Sequence, residues 1–180
     1  MLLKKEDSCL LLVDVQKKLA PLIEHSRAII DRCKWLMSLA GNLSVPCLVT
    51  EQYPSGLGHT VEDLQGVGGI EVFEKVYFSC YRDPAFISTL KNLQKKQMVL
   101  IGIEAHVCVL QTAMDLNEAG YEVSVVIDAV GSRKELDRKY ALKRMQQAGI
   151  QLLTSEMVFF EWVEKAGSPE FKRLSQQYLK

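Results

Sequence analysis

The chain has 180 residues, 48% hydrophobic and 24% charged, with Lys+Arg and Asp+Glu equal at 22 each. That length and mix predict one globular domain over residues 1–180, burying roughly 70% of the surface of its unfolded chain. A formal net charge of zero argues against a nucleic-acid binder driven by counterion release, and it permits self-association.

Residues 8–15, SCLLLVDV, form a continuous apolar run ending in an acid, the pattern of a strand buried on both faces of a parallel sheet. Within residues 23–43, Ala28, Ile29, Cys33, Leu36, Met37 and Ala40 fall on one helical face, with Gly41 as the stop. VPCLVTEQ, residues 45–52, reads as a second strand. Residues 53–69 carry Pro54 and five glycines and are expected to be a long irregular loop, a kind that is often functional. Residues 70–81 begin as a strand and end polar. Asp83 and Pro84 then supply an N-cap and a first helical position.

QMVLIGI, residues 97–103, is a third strong strand, and AHVCVLQTAMDLNEAG is a helix closed by Gly120. Residues 121–130 form a strand that places Asp128 at its end. Ser132 and Glu135 suggest a capping box for the next helix. A last strand at 150–155 precedes two terminal helices. Alternation of this kind predicts an α/β fold, a parallel sheet with helices on both faces. Ligands in such sheets bind beyond the carboxyl ends of the strands.

No apolar run reaches eighteen residues, so no membrane helix is predicted, and the first eighteen residues do not read as a signal peptide. Five widely spaced cysteines with no C-x-x-C fit free thiols in a reducing, cytoplasmic setting.

The strand ends carry Asp14, Lys75, Cys108 and Asp128. Each has a structural explanation of its own. Asp14 suits a cap, Lys75 a solvated surface, Cys108 a small buried apolar site, and Asp128 a supporting acid. As a group they also suit nucleophilic catalysis. A helix start and a nearby cation lower a thiol pKa, an aspartate can shuttle the proton, and backbone N–H groups can hold an oxyanion.

The segments LLLVDVQKKL, FEKVYFSCY, GIEAHVCVLQTAMDL and VVIDAVGSR resemble, in order, those of isochorismatase-like cysteine hydrolases. That superfamily also holds nicotinamidases and carbamoylsarcosine amidases. LVTEQYPSGLG resembles the isochorismatase-domain-containing subgroup. The resemblance implies a three-layer α-β-α fold with a six-stranded parallel sheet in the order 3-2-1-4-5-6. It implies Cys108 as nucleophile, Asp14 as general base and then acid, and Lys75 as the cation that stabilises the thiolate and orients Asp14. It also implies a cis peptide at Ile103–Glu104, with the N–H groups of Glu104 and Cys108 as oxyanion hole.

Where nicotinamidases carry an Asp-x-His pair and a further His, this chain has only His59. No catalytic metal and no cofactor are therefore expected, and nicotinamide is not the expected substrate. Isochorismate calls for clustered arginines, and only Arg82 and Arg133 stand near strand ends. Substrate contacts are expected from Glu51, Gln52, Tyr53 and Tyr77, with Thr50 facing the same site. Cys80 lies near Lys75 but lacks a helix start to activate it.

The expected activity is hydrolysis of a small amide- or ureide-type C–N substrate through a covalent cysteine intermediate. The competing reading is a non-enzymatic family member acting as a binding or oligomeric module. A third reading, a flavodoxin-like or Rossmann cofactor binder, is weak because GVGG, residues 66–69, does not sit between a strand and a helix in the G-x-G-x-x-G pattern. The resemblance implies a homo-oligomer, a dimer, tetramer or larger assembly, acting on a small-molecule substrate; the zero net charge and the lack of a long apolar run lead to no expected nucleic-acid or membrane partner.

Overall fold

The computed structural model describes residues 1–68 and 70–179. Gly69, the last glycine of GVGG, and Lys180, the last residue of the terminal helix segment, lie outside the described residues. Among the described residues six parallel strands pair in the order β3-β2-β1-β4-β5-β6. They are β1 (Ser8–Val13), β2 (Cys47–Gln52), β3 (Ile70–Lys75), β4 (Gln97–Ile103), β5 (Glu122–Gly131) and β6 (Gln151–Leu153).

Every residue of β1, β2 and β4 is buried, because helices cover both faces of the sheet. Alternation along β1 divides the core in two. Leu10 and Leu12 pack with α1 (Ser26–Asn42), α6 (Ser155–Val163) and α7 (Pro169–Tyr178). Cys9, Leu11 and Val13 pack with α3 (Pro84–Leu93), α4 (Leu110–Glu118) and α5 (Glu135–Gln147). In MVFFEWV, Val158, Phe159, Trp162 and Val163 face the core, while Met157 and Phe160 are exposed.

The chain builds outward from β1 through β2 to β3, then returns to set β4 on the other side of β1. That reversal makes the β1/β4 boundary the switch point. The two strands approach closely there because Gly102 has no side chain. A Cβ at this position would lie 2.2 Å from the Val13 carbonyl oxygen, and its φ is +113°.

Several local expectations need correction. Gly41 lies inside α1 and does not stop it; a Cβ there would stand 3.0 Å from the Gly68 Cα. The loop after β2 holds a short helix, α2 (Pro54–Leu57), and a 3-10 turn at Glu62–Leu64. β3 stops at Lys75, whose side chain turns inward to a buried acid. β5 runs on to Gly131, so Asp128 is interior to the strand, where it accepts from Ser155 N at 2.9 Å and Ser155 Oγ at 2.6 Å. Ser132 does not cap α5, which starts after Lys134; its hydroxyl lies 3.0 Å from His106 Nδ1. Asp83 does cap α3, accepting from Ala85 N and Phe86 N.

Candidate active site

β1 ends at Val13, and Asp14 turns the chain out of the strand with φ +51°. Its N–H donates to the Thr50 carbonyl at 3.1 Å, and the Thr50 hydroxyl donates to Asp14 Oδ1 at 2.7 Å. The other oxygen, Oδ2, receives Lys75 Nζ at 2.7 Å. Lys75 arrives there through register: it pairs with Gln52 across β2 and β3, and paired residues of parallel strands share a face. The same ammonium donates to Gln52 Oε1 at 2.7 Å and lies 3.2 and 3.1 Å from the Tyr77 and Phe78 carbonyls. Asp14 and Lys75 side chains are 0% and 1% exposed. Such a pair needs these extra hydrogen bonds to offset its desolvation.

Cys108 sits after β4 in a π turn, Ala105–Val109, that precedes α4. It is therefore not in the first turn of a regular α-helix, as the sequence suggested. The turn closes on the Glu104 carbonyl, which accepts from Val107 N at 3.0 Å and Val109 N at 3.2 Å. The peptide Ile103–Glu104 is cis.

The expected low thiol pKa is not what this environment produces. Burial, above all, pushes the Cys108 thiol up, and the negative charge of Asp14 pushes it further; Lys75 opposes both and is outweighed. The charge of Glu104 adds to the rise. The cysteine is thus held as a thiol. Cys80, also buried, is raised to about 12 by desolvation, and its N–H donates to Thr112 Oγ1 at 3.1 Å.

The residues expected to contact substrate divide. Gln52 stands in the cluster, holding Lys75 and donating to the Val76 carbonyl at 2.8 Å. Tyr53 and Tyr77 are exposed at its rim. Glu51 points to the opposite face of β2. There it accepts from Thr60 N and Thr60 Oγ1 at 2.7 Å each and from His59 at 2.8 Å. Burial alone would raise its carboxyl, but the Thr60 and His59 bonds outweigh this and hold it below the usual range.

Asp128 stays apart from the cluster, pairing with Arg32 at 3.4 Å beside a cavity of about 810 Å³ that also holds Trp35 and Ser155. Sequence reasoning missed two supports. Gln16 locks Gln52 through its backbone N–H and carbonyl, at 2.7 and 2.9 Å. Arg133 holds Glu104 Oε1, from Nε at 3.1 Å and Nη2 at 3.0 Å. The signal for Gln16 was its place two residues after the strand-end acid. Nothing local joins Arg133 to Glu104. Among the described residues no group of three or more His, Cys, Asp or Glu is arranged to hold a metal ion.

Fold and cluster together define a three-layer α/β protein in which the ends of β1, β3 and β4 bring Asp14, Lys75 and the Cys108 turn to the switch-point end of the sheet. The chain belongs to the isochorismatase family: the model of the Isochorismatase domain matches residues 8–157. Mouse isochorismatase domain-containing protein 2A is 42% identical over 172 residues, 95% of this chain and 82% of the relative. The structure of MAR1 ribonuclease from Caenorhabditis elegans superposes with a TM-score of 0.93 at 42% identity, covering 100% of this chain and 93% of that one. The YcaC gene product of Escherichia coli, an octameric hydrolase of unknown specificity, superposes with a TM-score of 0.88 at 27% identity, covering 99% and 96%.

Proposed function

We propose that the protein is a metal-independent cysteine hydrolase of small C–N substrates, amides or ureides, with Asp14, Lys75 and Cys108 as its catalytic residues. The observation that carries this reading is the buried Lys75–Asp14 pair at the switch point to which β4 delivers Cys108, near enough for the Asp14 charge to act on the thiol. A hydrolytic family supports it.

The chemistry closes on these groups. Asp14 takes the Cys108 proton as Sγ bonds to the substrate carbonyl carbon. The N–H groups of Glu104 and Cys108 hold the oxygen that becomes negative. The C–N bond then breaks, and Asp14 returns the proton to the departing nitrogen. Water attacks the thioester, giving its proton to Asp14, and the acid product leaves as Cys108 regains a proton. Lys75 keeps Asp14 oriented throughout and never transfers a proton. Gln52, through Lys75, is a positioning residue. Tyr53 and Tyr77 line the approach.

The C. elegans relative's name raises a second reading, RNA cleavage. The charge pattern here favours the small substrate. Net charge is zero, and the two arginines near the site's strand ends are taken by acids, Arg82 by Asp115 and Arg133 by Glu104. We also read the chain as a homo-oligomer, a dimer or a larger assembly, a reading the octameric E. coli relative supports. Five free cysteines support a reducing, cytoplasmic location.

Ammonia or amine release from a panel of small amides and ureides, with a single-stranded RNA in parallel, tests the reading. Release by wild type and none by Cys108→Ala is expected. Equal release by both, or cleavage of RNA alone, overturns it.

A further inference from the structure

Thr50 is a polar residue in a strand whose earlier residues are apolar. β2 begins with Cys47, Leu48 and Val49, all buried, and Thr50 is buried as fully. Its backbone is satisfied by the sheet: Thr50 stands opposite Val13 of β1, and its carbonyl accepts from Asp14 N at 3.1 Å. Valine has nearly the same shape and suits a buried strand at least as well. The strand by itself therefore has no use for the hydroxyl. Among the described residues that hydroxyl has one hydrogen-bond partner, Asp14 Oδ1, to which it donates at 2.7 Å.

The chain leaves ideal strand geometry to make this contact. Alternation along β1 would send the side chain after Val13 to the other face of the sheet. Asp14 instead takes φ +51°, a backbone region that residues other than glycine rarely adopt. The turn brings its carboxylate to the donors of β2 and β3, Thr50 on Oδ1 and Lys75 on Oδ2. Rotation about the Cβ–Cγ bond of an aspartate is soft and roughly two-fold. Lys75 alone would leave the carboxylate free to swing about Oδ2. A second donor on Oδ1, from a different strand, fixes its plane. A general base depends on that plane, because its lone pair has to meet the proton at hydrogen-bond distance.

We propose that Thr50 is a positioning residue of the reaction: its hydroxyl, together with Lys75, locks the Asp14 carboxylate in the orientation from which it takes and returns a proton. The proposal rests on Asp14 being the general base, as argued above. It gives a role to a side chain outside the Asp14–Lys75–Cys108 set. Thr50 is fully buried, so it acts through Asp14 and not on the substrate. Its loss slows the chemical step and spares binding.

Three variants separate the hydroxyl from its bulk. Thr50→Val keeps the shape and removes the hydroxyl. Thr50→Ser and Thr50→Ala lose the same methyl and differ only in the hydroxyl, so they decide the matter even where Thr50→Val does not fold. Steady-state ammonia release is measured on the member of the amide and ureide panel that wild type turns over fastest, with Asp14→Asn alongside.

For Thr50→Val, kcat is expected to fall about tenfold or more, with KM within about twofold of wild type. Thr50→Ser should run at least about fivefold faster than Thr50→Ala, the scale of one hydrogen bond. A smaller fall in kcat, a loss carried by KM, or equal rates for the Ser and Ala variants overturns the proposal. In those cases wild-type turnover that is lost in Asp14→Asn keeps the base assignment standing. If wild type releases nothing from any member of the panel, or Asp14→Asn is as fast as wild type, the base assignment falls and the proposal falls with it.

Discussion

Lys75 Nζ lies 2.7 Å from Asp14 Oδ2, and water reaches neither side chain. Removing one member of such a pair strands the other charge. Lys75→Met should therefore destabilise the fold by about 3–5 kcal/mol. Urea unfolding of the single variant and of Lys75→Met with Asp14→Asn checks this. The double variant should lose clearly less than the sum of the two single losses.

The thiol gives a test with opposite signs. Burial and then the Asp14 charge hold Cys108 high, while Lys75 pulls it down. A raised thiol pKa means that the thiolate fraction keeps growing with pH, so iodoacetamide labelling of the free protein should still climb at pH 9, with no plateau near neutrality. Asp14→Asn removes a negative charge from beside the sulfur. It should speed labelling at pH 7 while abolishing turnover, because the proton acceptor is gone. Labelling that plateaus below pH 7 in wild type contradicts this account of the thiol.

Glu51 should matter for stability at neutral pH and not in acid. Its folded pKa lies below its ordinary value of 4.5, because the bonds from Thr60 and His59 outweigh its burial. A depressed carboxylate stabilises the fold above its unfolded pKa and loses that contribution as pH falls through the folded value. Glu51→Gln should cost about 1–2 kcal/mol at pH 7, and the gap from wild type should close as pH drops below 4.5. Thermal melts of both proteins over that pH range measure it.

Gly102 is the contact that lets β1 and β4 deliver Asp14 and Cys108 to one place. Gly102→Ala would force a Cβ to within 2.2 Å of the Val13 carbonyl at a φ of +113°. The strands have to part. A loss of about 3 kcal/mol is expected, seen as a lowered melting temperature, together with reduced turnover.

Much of this arrangement was legible in the chain. The apolar runs of β1, β2 and β4 announce strands covered on both faces, and their terminal residues mark the ligand end. Strand order came from the family resemblance, while the grouping of Asp14 with Lys75 and Cys108 was already suggested by their places at the strand ends. Side-chain parity was available but underused. Thr50 and Gln52 share the face of Asp14 and Lys75, so Glu51 between them had to point away. The thiol's direction of shift was not readable, since it depends on burial and on the Asp14 charge outweighing Lys75. The Arg133–Glu104 pair spans 29 positions, and only the paired strands bring it together. Asp128 looked like a strand end because a strand ending in an acid had already occurred at Asp14; β5 instead continues three residues further.

The most direct test of the central claim is peptide mass spectrometry after acid quench of the protein turning over small primary amides and ureides. The account predicts an acyl mass confined to the peptide containing Cys108, present in wild type and absent in Cys108→Ala. An adduct on another residue, or continued turnover by Cys108→Ala, would contradict it.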